Sequence, residues 1–136
     1  MIICGIEISG SEARLVLLNG TKALFTHVNT EPRKIKIHDD EEQNEMKIFR
    51  DSIFSFLTDN RVELVAIKKR GKKGEYSGGP VGFKIEGIIQ LLEGCPVSLI
   101  APQTISAMQR KHEPAKPSSL KKYQYTAFET GFSALP

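Results

Sequence analysis

The stretch from Ile2 to Leu18, IICGIEISGSEARLVLL, decides the fold. It is typical of two apolar, β-branched strands joined by a tight turn at Ser9-Gly10-Ser11, and strands of this kind lie in the interior of a sheet. Glu7 is the one acid in the first of these strands. Because a bare carboxylate is costly to bury, we expect Glu7 to be paired, hydrated or bound to a ligand.

The composition is that of a soluble globular chain. Hydrophobic residues make up 40% and charged residues 26% of the 136 residues, which suits a single domain over residues 1–136. No apolar run approaches the ~20 residues of a membrane span. We expect no signal peptide, because the first residues show no basic leader followed by an apolar core and a cleavage site. Two cysteines, in or beside apolar segments, indicate a reduced cytoplasmic protein, and we expect no membrane partner.

Strand and helix patterns alternate along the rest of the chain. Asn19-Gly20 predicts a hairpin between residues 13–18 and 22–28. Periodicity, caps and turn residues predict an edge extension at 34–37, a helix from Asp39 or Asp40 to Asn60, a strand at 62–67, a helix from Pro80 to Gly94, a strand at 96–100, a helix at 103–111 and a last helix from Ser118 or Ser119 to Leu135. This order predicts an α/β fold with a five-stranded mixed sheet, ordered 3-2-1-4-5, and helices on both faces.

A basic, glycine-rich loop follows the fourth predicted strand. Residues 68–73, KKRGKK, hold five basic residues in six positions. Glycines let a backbone approach a phosphate closely, and a tyrosine can stack on a base. We therefore expect a non-specific site for nucleic acid or another polyanion at Lys69, Arg70, Lys72, Lys73 and Tyr76. The alternative is a solvated charge run, because a net charge of +3 does not by itself prove such a partner.

The order of these elements resembles that of the ribonuclease H-like superfamily, and within it the RuvC-type Holliday junction resolvases and the YqgF-type domains. Residues 5–11 resemble the opening Gly-Ile-Asp-Pro-Gly-Ser stretch, residues 65–69 the strand that ends in Glu in the resolvases, and residues 72–80 the YqgF-type glycine-rich loop. Residues 95–100 resemble the last strand, and residues 126–129 the acidic motif of the final helix. The resemblance implies a ribonuclease H-like fold in an uncharacterised bacterial family that brings no known activity.

The resemblance also implies a site, from which this sequence departs. In active members, three or four carboxylates hold two divalent metals that promote phosphodiester hydrolysis. Glu7 keeps a carboxylate where the family has Asp, and the resemblance implies Glu129 as the second carboxylate, so these two are the candidate catalytic residues. Lys68 stands where the resolvases have Glu. The other expected acids are replaced by Ala101 or Pro102 and by Thr126.

Lys68 argues against a metal at this site. The fold implied by the resemblance makes the first and fourth strands parallel neighbours, so we expect Glu7 and Lys68 to form an ion pair in place of a metal. At an effective dielectric of about 20, each unit charge of Mg²⁺ would meet roughly 4 kcal/mol of repulsion at about 4 Å from the lysine. We therefore expect no metal cofactor, and Mg²⁺ only if the chain is a nuclease after all.

Three classes of function stay open. The first, which the residues favour, is a non-catalytic module that binds nucleic acid or another polyanion, and salt-sensitive binding would identify it. The second is an enzyme, which metal-dependent turnover would identify. It is either an eroded or atypical metal-dependent nuclease acting on phosphodiester bonds or a phosphotransferase-related lobe. The third is a structural protein that forms a homodimer through a helix face, which stable self-association without either activity would identify.

Overall fold

A computed structural model describes residues 1–73 and 79–136 of the chain. The described strands are β1 (Ile2–Ser9), β2 (Glu12–Gly20), β3 (Phe25–Val28), β4 (Lys34–Lys36), β5 (Leu64–Lys68) and β6 (Val97–Ile100). The described helices are α1 (Gln43–Asp59), α2 (Pro80–Gln90), α3 (Pro102–His112) and α4 (Tyr125–Ala134), with a 3₁₀ turn at Lys122–Gln124. None of the helices in these residues is long and apolar enough to cross a membrane.

Strand β1 is the centre of a mixed sheet. The strands lie in the order β3-β2-β1-β5-β6, and β4 also pairs with β2. β1 is antiparallel to β2 and parallel to β5, which is parallel to β6. The predicted fold class and the central first strand are confirmed. The sequence predicted five strands, whereas Lys34–Lys36 forms a sixth, because it pairs with the start of β2 while β3 pairs with its end.

Helices cover both faces of the sheet, as predicted. The side chains of β1 alternate between the faces, as they do along any strand. Cys4 and Ile6 belong to one buried cluster, which includes residues of α1 and α2. Ile3 belongs to the other buried cluster, which includes Phe128 and Phe132 of α4. The face that α4 covers is called the α4 face below.

Two helices begin later than predicted because their expected caps have other partners. Helix α1 follows Glu42 rather than Asp39 or Asp40, since the Asp39 carboxylate closes a turn by accepting a hydrogen bond from the Glu41 amide at 3.0 Å. Helix α4 begins several residues after Ser119, whose hydroxyl lies 2.6 Å from Nδ1 of His27 on β3. Both contacts hold the chain in loops where the sequence pattern predicted helix.

The hairpin between β2 and β3 is longer than predicted. Asn19 and Gly20 belong to β2, where they lie opposite Thr26 and Phe25 of β3. The turn covers residues 21–24, whose two end residues exchange backbone hydrogen bonds of 2.9 and 3.2 Å. The local Asn-Gly preference for a two-residue turn is therefore overridden by pairing with β3.

Candidate functional site

Four charged residues lie side by side across the α4 face, near the C-terminal end of β1. Glu7 lies opposite Arg14 in the antiparallel pair of β1 and β2, and Arg14 lies opposite Lys34 of β4. The parallel register of β1 and β5, continued by one residue, places Glu7 beside Lys68. Lys34, Arg14, Glu7 and Lys68 are called the charged row below.

The position of helix α4 explains why charged residues occur at this end of the face. The helix packs against β1 at Gly5, where a Cβ would be 2.1 Å from the Ala127 carbonyl oxygen and 2.6 Å from the Gly131 nitrogen. Just before the helix, Nε2 of Gln124 donates to the carbonyl of Leu15 at 2.9 Å. Since Leu15 directly follows the arginine of the charged row, α4 begins at the row and covers the apolar end of the face.

Glu7 is held by an arginine. Nη1 of Arg14 is 3.4 Å from Oε1 of Glu7, and Nε of Arg14 is 2.9 Å from Oε2 of Glu12. The three side chains are 20–28% exposed. The hydrogen bond to Glu12 is the main reason that the pKa of Arg14 is raised, against a smaller opposing effect of burial, and the charges of Glu12 and Glu7 add to it. One guanidinium therefore serves two carboxylates.

Lys68 does not form the ion pair with Glu7 that the sequence predicted. Both side chains are described, and Lys68 lies within ion-pair distance of no acid in the described part of the chain. Arg14 takes the carboxylate instead, because it stands directly opposite Glu7 and because its planar guanidinium also reaches Glu12. Lys68 is left half-buried on the other side of Glu7.

Glu129 is not brought to Glu7. Ala127 and Gly131 both contact Gly5, and an α-helix turns roughly 100° per residue. Glu129 therefore leaves α4 about 200° from Ala127, on a side turned away from β1. The rotation of α4 therefore does not bring Glu7 and Glu129, the two predicted catalytic residues, together.

The side chains at the positions where the resemblance implies metal ligands do not form a two-metal site. Across residues 1–73 and 79–136, no group of three or more His, Cys, Asp or Glu side chains could hold a metal ion. Ala101 is the residue that precedes α3, and Pro102 is its first residue, so neither supplies a carboxylate. Glu7 is the acid that remains at the end of β1, and it faces a guanidinium.

The basic residues after β5 have different environments. Lys69, Lys72 and Lys73 are exposed, which suits contact with a polyanion. The Lys69 amide donates to the Ile100 carbonyl at 2.8 Å, so the first of these lysines is fixed to the end of β6. Tyr76, the aromatic residue predicted for this site, lies outside the described residues.

Arg70 makes contacts within the protein, whereas the sequence predicted that it would bind a polyanion at the surface. Its Nη1 donates to the Ile8 carbonyl at 3.3 Å, and its guanidinium carbon is 5.6 Å from the ring centroid of Phe83. Gly82 leaves the space for it, because a Cβ there would be 1.9 Å from Nη1 of Arg70. Arg70 thus joins the end of β1 to the first turn of α2.

Arg14 and Lys34 are the members of the charged row that sequence reasoning missed. The signal for Arg14 was present, because an antiparallel turn centred on residues 10 and 11 places residue 14 opposite residue 7. No comparable signal identified Lys34, since β4 returns to β2 after a separate hairpin and an irregular loop. The contact is long-range in the sequence and appears only when the sheet is assembled.

Solved structures of similar fold include two of RuvC and one of a viral resolvase. The RuvC structure of Thermus thermophilus has a TM-score of 0.74 at 15% identity, covering 98% of this chain and 92% of that chain. T. thermophilus RuvC in complex with a Holliday junction substrate has a TM-score of 0.68 at 15% identity, with 98% and 91% covered. The complex of fowlpox virus resolvase with substrate Holliday junction DNA has a TM-score of 0.60 at 18% identity, with 98% and 95% covered. The ribonuclease H-like fold is therefore confirmed, and identities this low show the fold alone.

The family model described as "Protein of unknown function (DUF3010)" matches residues 1–134. The chain therefore belongs to that family, as expected for an uncharacterised group with this fold. No curated protein matches the sequence at a significant level.

Proposed function

We propose that this DUF3010 member is a non-catalytic module that binds nucleic acid or a similar polyanion through phosphate groups at the C-terminal end of β1 and β5. The observation that carries the proposal is the contact between Arg14 and Glu7, with Lys68 beside them in register. Where metal-dependent relatives need free carboxylates, this chain presents a carboxylate that an arginine already holds.

The charge at this end of the sheet supports an anionic ligand. The charged row and the neighbouring cross-strand pair of Glu12 and Lys36 carry four cations and two carboxylates, a net charge of +2. The exposed Lys69, Lys72 and Lys73 add three positive charges beside Lys68. Clustered lysines attract phosphates without reading base sequence. The proposed binding is accordingly non-specific.

The solved structures of similar fold also support a nucleic-acid ligand. The T. thermophilus RuvC and fowlpox virus resolvase complexes contain Holliday junction DNA. A shared fold does not by itself establish a shared ligand. It does not carry the reaction over, which is why the proposal rests on the charges of this chain.

The test is fluorescence anisotropy of labelled oligonucleotides over a range of salt concentrations. We expect log affinity to fall linearly with log salt, and the variant K72Q/K73Q to lower the slope by roughly 1.8 for duplex DNA, at about 0.9 for each lost phosphate contact. The matched control is K47Q/R50Q, which removes two exposed cations from α1 on the opposite face. Absence of binding at about 50 mM salt, or equal slopes for the two variants, would contradict the proposal.

An atypical metal-dependent nuclease is the second candidate, and the carboxylate of Glu7 at the end of the central strand favours it. Its test is cleavage of branched and linear DNA with Mg²⁺ or Mn²⁺. Turnover that Glu7→Gln abolishes would replace the first proposal with the second.

A further inference from the structure

One aromatic side chain lies at the outer end of the charged row. The ammonium of Lys34 is 4.9 Å from the ring centroid of Tyr123, which is half-buried in the 3₁₀ turn before α4. The neighbouring Gln124 is 2% exposed; it donates to the Leu15 carbonyl at 2.9 Å and accepts from the Lys121 amide at 3.0 Å. The turn is thus fixed to β2, and the tyrosine ring has a defined place beside β4.

The positive charge of the row is concentrated at its two ends. Arg14, in the middle, is engaged by Glu7 and Glu12. Lys34 and Lys68 form no ion pair with another described residue. They lie on β4 and β5, three strand spacings apart, which is about 14 Å along the row. An extended polyanion that crosses the strands can therefore contact a lysine at each end.

A tyrosine ring next to a phosphate-binding cation distinguishes between nucleic acids. Aromatic side chains stack on the exposed face of an unpaired base, with little dependence on which base it is. In a duplex, each base already has neighbours on both faces. A ligand that uses both the ring and the lysines is therefore single-stranded.

We propose, on the basis of the function proposed above, that the ligand is a single strand of nucleic acid that crosses the strands along the charged row. Its phosphates contact Lys68 and Lys34, and one base stacks on Tyr123. The ammonium of Lys34 covers the ring in the free protein. It moves from the ring to a phosphate when the base takes its place.

The experiment compares oligothymidylate of about 12 nucleotides, within the ~4–16 nucleotides of known single-strand sites, with a duplex of equal length. We expect Tyr123→Leu to weaken single-strand binding roughly 5- to 150-fold, to weaken duplex binding much less, and Tyr123→Phe to retain affinity. The matched control is Tyr125→Leu, because Tyr125 also has a lysine over its ring, Lys116 at 5.3 Å, but leaves α4 about 160° from the Ala127 side that faces the sheet.

Lys34→Gln provides a second test that does not depend on the turn, because Lys34 is exposed. It is expected to lower the salt slope for the single strand by roughly 0.7, whereas Lys47→Gln leaves that slope unchanged. If wild-type protein binds neither oligonucleotide, the proposed function fails and this inference falls with it. If wild-type protein binds both, but Tyr123→Leu and Lys34→Gln do not alter single-strand binding, this inference alone is overturned.

Discussion

The two ends of the α4 face are built from the same strands but have opposite chemistry. Under α4, Ile3 and Leu18 are fully buried. Further along the same two strands, Glu7 and Arg14 are 22% and 28% exposed and charged. Both pairs point to the same face, since side chains alternate with a period of two. The start of α4 therefore sets the boundary between the core and the candidate site, and four variants test where that boundary lies.

The largest effect is expected from Gly5→Ala, at the covered end. The added Cβ would be 2.1 Å from the Ala127 carbonyl oxygen and 2.7 Å from the Gly131 Cα. These are backbone atoms, so α4 must move, and we expect a loss of about 3 kcal/mol or more in the free energy of unfolding. Urea denaturation measures it.

Gly87→Ala is the matched control for that substitution. Gly87 is inside α2, and apart from its chain neighbours and the backbone of its own helix, no atom of residues 1–73 and 79–136 lies within 4 Å of the position of its Cβ. Alanine there is expected to raise the free energy of unfolding by roughly 0.5–1 kcal/mol, because glycine is a poor helix former. If both variants lost a similar free energy of unfolding, close packing of α4 on β1 would not be what stabilises the covered end of the α4 face.

The next largest effect is expected from Arg14→Gln, in the charged row. This variant leaves Glu7 and Glu12 without their shared guanidinium. Hydrogen bonds to charged groups contribute roughly 1.5–3 kcal/mol when buried; partial exposure reduces this, so we expect a loss of about 1–2 kcal/mol at neutral pH. Thermal unfolding measures it, with Arg50→Gln on α1 as a control of small effect. If Arg14→Gln did not change the free energy of unfolding, the charged row would contribute charge to the surface but no stability.

A smaller effect on stability, but a change in chemistry, is expected from Lys68→Glu. It places a second carboxylate beside Glu7, and like charges on neighbouring strands cost roughly 0.2–1 kcal/mol. We expect Mn²⁺ to raise the melting temperature of this variant, because two carboxylates can then share a hard cation. Wild-type protein and Lys69→Glu, at an exposed neighbour, should show no such shift. If the melting temperature of wild-type protein rose equally, Mn²⁺ would bind next to Lys68 without a carboxylate at position 68.

The smallest effect concerns His27, which borders the covered end through Ser119. Burial, followed by the charge of Arg33, lowers the pKa of His27 below its usual 6.5. The unfolded chain therefore binds more protons as the pH falls below 6.5 towards the lowered pKa, and stability decreases in that window. We therefore expect the stability of His27→Gln to decrease less than that of wild-type protein between about pH 7 and pH 5. The control is His38→Gln at an exposed position; an identical pH profile in both variants would contradict the prediction.

Much of the fold could be predicted from the sequence because its signals are local. The apolar stretch from Ile2 to Leu18 indicated the central hairpin, and helical periodicity indicated α1 and α2. The starts of α1 and α4 could not be predicted, since Asp39 closes its own turn and Ser119 contacts a residue 92 positions away. Competing partners of capping residues are decided by tertiary structure.

The position of the candidate site could be predicted from the sequence, but the ion-pair partner of Glu7 could not. Glu7 and Lys68 were correctly expected to be neighbours, because parallel strands bring equivalent positions together. Glu7 pairs with Arg14 instead, and an arginine is not a metal ligand, so the predicted set of site residues did not include it. Glu129 depended on the rotation of α4, and that rotation follows from the close approach of Gly5 to Gly131, a contact between glycines that carries no periodic signal.

Strand β4 has a second consequence, for self-association. It is three residues long and lies at the border of the sheet, where unpaired backbone groups invite another chain to add a strand. Lys34 and Lys36, its first and last residues, are both exposed. Two lysines on so short a border repel the same border of a second copy. Lys34, the positive outer end of the charged row, therefore also protects the sheet, together with Lys36, from edge-to-edge aggregation.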